Sequence, residues 1–260
     1  MSQVHIVIPA RMGSSRFYGK PLVKLSGREM VLRVVDRAKL TGVSSIVVAT
    51  DDAAIAQCVQ QAGFDAQMTD VDHPSGTDRI AQVAEARVWP DDDIVVNVQG
   101  DEPLIEPELI EEVALALSAH PDCVMSTAAH VLIDAASLLN PNIVKVVLDN
   151  QQRALYFSRA PIPFPRDAMR AAGGDGLVAL PAGLPVLRHM GIYAYRVGFL
   201  KQYADLPASP LEQFESLEQL RVLANGHQIS VYISPMASAP GVDEPSDVAI
   251  VENFLAQYSK

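Results

Sequence analysis

The chain has little cysteine, a single tryptophan and no long apolar run. It is also poor in cations, with 20 Lys and Arg against 31 Asp and Glu and a net charge of −11. Two cysteines, Cys58 and Cys123, far apart and each in apolar surroundings, exclude a disulfide framework or a cysteine metal pair. They read as small buried hydrophobes in a reducing compartment. The acidic balance, with a pI near 4.9, argues against a general nucleic-acid binder and against an anionic membrane surface. Any anion this chain binds must meet a local concentration of cations. No stretch approaches the length of a membrane span. Met1-Ser2-Gln3 carries no basic side chain and the apolar run Ile6-Val7-Ile8 ends at Pro9, so no secretory leader is expected and the expected location is the cytoplasm. Gly-x-Gly-x-x-Gly is absent, which removes the dinucleotide fingerprint. What remains is 49% hydrophobic and 20% charged residues over 260 positions, a globular composition that excludes disorder and suffices for one large α/β domain or two small ones.

The first half alternates two periods. Val4–Ile8, Ile46–Ala49 and Ile94–Val98 are short, β-branched and bounded by Pro, Asp or Gly, as buried strands are. Between them Met30–Leu40, Ala53–Ala62 and Asp78–Val88 show helical spacing, with Asp52 and Thr77 as N-caps of the second and third. Strand and helix in alternation predict a parallel sheet wrapped by helices, with a ligand site at the carboxyl ends of the strands. Pro9–Pro21, Thr50–Asp52 and Gln99–Pro103 fall there. The second half predicts a hairpin of Val144–Leu148 and Ala154–Phe157 about an Asp149-Asn150 turn, and an exposed loop over Pro161–Pro185. A strand His189–Arg196, a helix Leu211–Asn225 stopped by Gly226, a strand Gln228–Ile233 and a last helix from Pro245 follow. The expected organisation is a single domain over 1–260, with a nucleotide half to about residue 130 and a substrate-facing subregion from about 131 to 235.

Ile8-Pro9-Ala10-Arg11-Met12-Gly13-Ser14-Ser15-Arg16-Phe17-Tyr18-Gly19-Lys20-Pro21 follows the first strand directly. Small residues permit close backbone approach to phosphate oxygens, and Arg11, Arg16 and Lys20 balance their charge. The loop is not a Walker A: five residues separate Gly13 from Gly19 where four are required, and Pro21 stands where a Ser or Thr would hold magnesium. Two carboxylates stand out. Asp101 follows the third strand and its turn, a position suited either to a metal ligand or to a turn acid. Asp243, between Gly241 and Pro245, taken alone reads as a helix-start residue. Ser75-Gly76-Thr77-Asp78-Arg79 alone reads as a capped helix with an acidic first turn. Arg159 alone reads as a surface cation, and His189 as a satisfied strand histidine that shares a strand face with Tyr193. Glu218 is set in a helical row with Leu211, Phe214 and Val222. A carboxylate interrupting an apolar face needs a partner, either Arg221 or a ligand hydroxyl.

The loop's Ile8-Pro9-Ala10-Arg11, Ser14-Ser15-Arg16 and Gly19-Lys20-Pro21-Leu22 resemble the signature of the sugar cytidylyltransferases. Further segments resemble the branch of that family acting on 3-deoxy-D-manno-octulosonate (Kdo). They are Ala49-Thr50-Asp51-Asp52, His73-Pro74-Ser75-Gly76-Thr77-Asp78-Arg79, Asn97-Val98-Gln99-Gly100-Asp101-Glu102-Pro103, Ala154-Leu155-Tyr156-Phe157-Ser158-Arg159, His189-Met190-Gly191-Ile192-Tyr193, Leu217-Glu218-Gln219-Leu220-Arg221 and Gly241-Val242-Asp243. They run in family order over nearly the whole chain. Two departures are Phe17-Tyr18 where Leu-Pro is usual, and Glu244 for a common Thr. The resemblance implies a three-layer α/β fold of the nucleotide-diphospho-sugar transferase type with a mixed, mainly parallel sheet. It implies CMP transfer from CTP to Kdo with release of pyrophosphate, for lipopolysaccharide synthesis, in a homodimer that needs Mg2+ and binds neither nucleic acid nor membrane. It implies metal ligation by Asp101 and Asp243, catalysis by these with Arg11 and Lys20, and nucleotide contacts from Ala10, Arg11, Arg16, Lys20, Thr50, Asp51, Ser75, Arg79 and Gln99. It implies a sugar site of Gln99, Arg159, His189, Tyr193, Glu218 and Gln219.

Overall fold

The computed structural model describes residues 2–13, 17–73, 75–173 and 176–258. Strands β1 (Val4–Pro9), β2 (Lys24–Leu25) and β3 (Arg28–Glu29) precede helix α1 (Met30–Ala38). Then come β4 (Ser45–Thr50), α2 (Ala53–Gln61), β5 (Asp65–Met68), α3 (Gly76–Ala86), β6 (Ile94–Asn97) and α4 (Pro107–Ala119). The chain continues through β7 (Met125–Val131), α5 (Ala135–Leu139), β8 (Lys145–Leu148), β9 (Ala154–Ser158), α6 (Arg166–Ala171) and β10 (Leu187–Arg196). It closes with α7 (Val197–Leu200), α8 (Pro210–Glu215), α9 (Gln219–Ala224), β11 (Ile229–Ser234) and α10 (Asp247–Tyr258). These elements form two compact units: Met1–Leu115 with Ile192–Ala204 and Ser238–Lys260, and Ala116–Gly191 with Asp205–Ala237.

In the first unit the strand order is β10-β6-β1-β4-β5. β1 pairs in parallel with β4 on one side and with β6 on the other, β4 pairs in parallel with β5, and the second half of β10 runs antiparallel to β6. Ile6, Val7, Ile8, Val47, Val48 and Val95 are wholly buried. Strands covered on both faces carry continuous apolar runs, which is why the sequence shows runs here and no alternation. From β1 the chain steps outward to β4 and β5, then returns to place β6 on β1's other flank. That reversal makes the carboxyl ends of β1 and β6 a topological switch point, the ligand position of open α/β sheets. The C-terminal segment belongs to this unit, with Val242 and Val251 packed among Leu25, Met30 and Leu104.

In the second unit β7 lies between β10 and a parallel β11, and β8 pairs antiparallel with β9 and with the start of β10. The expected β8–β9 hairpin is present. Its turn is tied by Asp149, whose carboxylate accepts the N–H groups of Gln151 and Arg153 at 2.8 and 2.9 Å. Leu132, Leu138 and Val186 form a smaller core. The two units together give the expected mixed, mainly parallel α/β architecture. Among the described residues no helix is long and apolar enough to cross a membrane. Both cysteines are free thiols; Cys123 is buried as expected, whereas Cys58 is only half-buried.

Four local expectations are corrected. The N-cap of α3 is Ser75, not Thr77: its hydroxyl accepts the Asp78 N–H at 3.2 Å and donates to Asp78 Oδ2 at 2.6 Å. Thr77 is already inside the helix and buried. The Pro161–Pro185 segment contains α6. The last helix starts at Asp247 instead of Pro245, because the Asp247 carboxylate gathers the N–H groups of Asp243 and Glu244, both at 2.8 Å, into a turn ahead of the helix. Leu211–Asn225 is not one helix. Ser216 takes a left-handed conformation (φ 53°) that ends α8, and α9 begins afresh at Gln219. The apolar row proposed for Glu218 therefore does not exist: Phe214 is 90% exposed and Leu211 47%. Arg221 places its guanidinium on Glu212, at 2.7 and 2.8 Å.

Candidate active site

The loops leaving β1 and β6 touch. A Cβ on Gly100 would stand 2.7 Å from the Pro9 carbonyl oxygen, so only glycine lets the two loops approach this closely. Gly19 (φ 72°) turns the phosphate loop into a short 3-10 turn that begins at Lys20. The Lys20 ammonium donates to Asp101 Oδ2 at 2.7 Å and to the Val242 carbonyl at 2.9 Å, and lies 4.0 Å from Asp243 Oδ1. Asp243 is brought to Asp101 by backbone. The Val242 N–H donates to the Asp101 carbonyl at 2.9 Å, and Gly241 packs so close that a Cβ there would lie 3.1 Å from the same oxygen. Beside them Glu102 is held up at about 7, first by burial and then by the negative charges of Asp101 and Asp243.

A cavity of about 250 Å3 opens at this switch point. Ala10, Arg11 and Lys20 line it from the first loop, Ser75 and Arg79 from the start of α3, and Gln99 and Asp101 from the loop after β6. These are seven of the positions expected from sequence, gathered in one place. Thr50 and Asp51 are not among the residues that line the cavity. Thr50 is wholly buried and its hydroxyl accepts the Asp52 N–H at 3.2 Å. Asp51 binds the buried Arg79 guanidinium at 2.6 Å, and Arg79 also donates to Thr69. Arg79 is thus a pinned cation, and Asp51 contributes by holding it. Arg16, with Ser14, Ser15 and Pro74, lies outside the described residues.

Tyr193 also belongs to the first unit, buried near Tyr195 and opposite Asn97 in the β10–β6 register. Arg159, His189, Glu218 and Gln219 belong to the second. His189 Nε2 lies 2.9 Å from Thr127 Oγ1, and that hydroxyl donates its one proton to the Met190 carbonyl at 3.1 Å. Nε2 is therefore the protonated nitrogen. Burial pushes the imidazole down to about 3, so the ring is neutral at physiological pH. Gln219 is buried at the first turn of α9, and Glu218 immediately before it is half-buried.

The sequence model of the cytidylyltransferase family matches residues 5–229. The chain belongs to the cytidylyltransferase family. Its structure superposes on that of a CMP:2-keto-3-deoxy-manno-octonic acid synthetase complexed with CTP, with a TM-score of 0.89 and 42% identity, covering 99% of this chain and 100% of that one. A cytidylyltransferase from Leptospira borgpetersenii serovar Hardjo-bovis (strain JB197) shares the fold at a TM-score of 0.63 and 15% identity, over 99% and 88% of the two chains.

In this cytidylyltransferase, sequence reasoning missed several features of the site. Gly100 and Gly241 act through what they lack, and the Val242 carbonyl is a backbone acceptor that no side-chain motif announces. His73 also lines the cavity and is held by Gln82 at 2.6 Å. Glu102 carried no assigned role, although its place beside Asp101 was a usable signal. Among the described residues no group of three or more His, Cys, Asp or Glu forms a metal site. Asp101 and Asp243 nonetheless converge on one cation position, marked by the Lys20 ammonium. Two carboxylates with phosphate oxygens and water are the donor set magnesium uses, so these residues fit an ion that arrives with a triphosphate.

Proposed function

We propose that the chain transfers CMP from CTP to Kdo, giving CMP-Kdo and pyrophosphate. The observation that carries this reading is the convergence of Lys20, Asp101 and Asp243 at the switch point of a fold 42% identical to a CTP-complexed synthetase of that sugar acid. The anomeric hydroxyl oxygen of the sugar bonds to the α-phosphorus in line. The bond from that phosphorus to the oxygen bridging to the β-phosphate breaks, and pyrophosphate leaves with the electron pair. The hydroxyl proton passes to solvent.

Arg11 and Lys20 face the cavity and supply positive charge for the oxygens on which negative charge grows. Arg79 acts differently. Clamped by Asp51, it holds the α3 end of the wall beside the nucleotide. Ser75 shapes the same end by capping α3, and Ala10 and Gln99 leave room and a polar edge for the base and sugar. Asp101 and Asp243 would hold Mg2+, which when bound supplies Lewis-acid polarisation of phosphate oxygens. In the second unit Arg159 would take the sugar's carboxylate, with His189, Glu218 and Gln219 meeting its hydroxyls. The homodimer, the cytoplasmic location and the lipopolysaccharide role belong to this proposal; the first and last of these rest on the family resemblance.

Pyrophosphate release from CTP and Kdo tests the reading. Release that depends on both substrates is expected, and none at saturating concentrations of both would overturn it in favour of a nucleotide-binding module. A panel containing a sialic acid and 8-amino-Kdo separates Kdo from its nearest rivals; a higher kcat/KM for either would move the assignment.

A further inference from the structure

Lys145, on β8, is wholly buried, and its ammonium donates to three backbone carbonyls: Asn140 at 2.9 Å, Ile143 at 2.6 Å and Arg159 at 2.6 Å. All three of its protons are engaged, which a neutral amine cannot do, so the site requires the charged form despite the downward pull of burial. One of the three acceptors is the carbonyl of Arg159 itself. The rest of Arg159 is held just as closely. Its N–H donates to Glu215 Oε2 at 2.9 Å, its Nε to the Glu215 carbonyl at 2.7 Å, and its Nη1 to the Pro141 carbonyl at 3.2 Å. Pro141 sits in the turn that Lys145 grips at Asn140 and Ile143. Glu215 Oε1 is fixed in turn by the Ser158 hydroxyl at 2.5 Å.

Two features separate this arrangement from ordinary ion pairing. First, the Glu215 carbonyl is available only because Ser216 breaks the helix. α8 ends at Glu215, so the Gln219 N–H that a continuous helix would bring to this carbonyl lies instead at the start of α9, and the carbonyl accepts from Arg159 Nε. Second, both carboxylate oxygens of Glu215 are engaged by the Ser158 hydroxyl and the Arg159 N–H, and among the described residues the guanidinium's hydrogen bonds run to carbonyl oxygens and none to a carboxylate. Arg28, Arg37, Arg79, Arg87, Arg153 and Arg221 each contact a carboxylate instead. Among the described residues Nη2 and one Nη1 proton of Arg159 have no hydrogen-bond acceptor, on a side chain whose backbone and Nε are already immobilised.

We propose that Lys145 and Glu215 are positioning residues that hold Arg159 as a preorganised, charge-unbalanced receptor for the carboxylate of the sugar acid. The inference rests on the reading above that Arg159 takes that carboxylate. A flexible arginine loses conformational freedom when it binds; one already clamped at four atoms loses little, and the gain appears as affinity for the acid group. Holding it with carbonyl dipoles keeps its full positive charge for a monoanion, whereas a contacting carboxylate would compete with the ligand.

The test measures steady-state kinetics and melting temperature of the full-length protein for Arg159→Ala, Lys145→Met, Glu215→Ala and Glu215→Gln, with Kdo and with its carboxamide. Lys145→Met and Glu215→Ala are expected to raise the KM for Kdo roughly ten-fold or more while the KM for CTP changes less than about two-fold. With the carboxamide, which presents no anion, both variants should approach the unaltered protein. Glu215→Gln keeps an acceptor for the Arg159 N–H and a partner for Ser158, and should restore most of the loss. Where Lys145→Met fails to fold, the Glu215 pair decides. A raised KM for Kdo in Arg159→Ala, with Glu215→Ala and any folded Lys145→Met unchanged, would overturn the positioning role. An unchanged KM in Arg159→Ala would instead overturn the carboxylate assignment on which it depends.

Discussion

In the first unit two of the cations lining the cavity are set against carboxylates, Lys20 against Asp101 and Asp243 and Arg79 against Asp51, with Arg11 lining it beside them. In the second unit Lys145 and Arg159 are set against backbone carbonyls. The difference matches the charge each end is proposed to receive. A triphosphate brings several negative charges and a divalent cation, so a balanced set of lysine and aspartates can exchange partners as it binds. A sugar acid brings one negative charge and no metal, so its receptor must keep an unbalanced positive charge ready. Ion pairs also specify geometry weakly when exposed, whereas a buried ammonium with three acceptors allows one arrangement.

The widest gap between the two ends should appear on removing single carboxylates. Asp101→Asn and Asp243→Asn are each expected to lower kcat at least about 100-fold with an unchanged melting temperature, because each removes an anionic ligand from a shared cation position. Near-normal turnover of Asp243→Asn at limiting magnesium would break the contrast at its strongest point. Next comes Lys20→Ala, for which a fall in kcat of roughly ten-fold or more is expected with a smaller change in the KM for CTP, since charge on the leaving group grows towards the transition state. A change confined to KM would reduce Lys20 to a ground-state contact.

The second unit has its own signature in acid. Burial holds His189 at about 3 in the folded chain, against 6.5 when solvated. Between those values the unfolded chain binds the proton and the folded one does not. Stability should therefore fall as pH drops from 6.5 towards 3, by up to about 1.4 kcal/mol per pH unit, and show no such dependence above 6.5. Denaturant midpoints at several pH values check this, and His189→Gln should flatten the slope. The smallest effect concerns the broken helix. Glu212→Gln is expected to cost about 1 kcal/mol by releasing Arg221, seen as a lower melting temperature. Glu218→Gln should instead raise the KM for Kdo with little change in melting. The reverse pattern would return Glu218 to a structural role.

Much of the first unit was legible because its signals are local. The runs at Ile6-Val7-Ile8 and Ile94-Val95-Val96 mark strands by length and β-branching, and Asp52 caps α2 through its own neighbours at 2.8 and 3.2 Å. The basic loop between Arg11 and Lys20 stands out against an acidic chain. The second unit was less legible where a rotation of one residue decided the outcome. Ser216 adopts φ 53° within a stretch whose spacing reads as one helix, and nothing in Leu211–Asn225 announces it. The helix break also removes the apolar row around Glu218 and turns the Glu215 carbonyl to Arg159 Nε. Ser75 and Thr77 are both good caps, so the choice between them was open on residue type alone.

By itself the sequence determined the alternation of strands and helices, the place of the phosphate loop after β1, and the residue types available for phosphate, metal and sugar acid. These follow from side-chain size, charge and short-range spacing, which do not depend on the rest of the fold. Only the tertiary structure decided which of those residues meet. It brought Asp243 to Asp101 through the backbone bond between Val242 and the Asp101 carbonyl, paired Asp51 with Arg79, and assembled the carbonyl oxygens that hold Lys145 and Arg159. Backbone carbonyls are the same at every position of a sequence. Where they converge is settled by how the chain returns on itself.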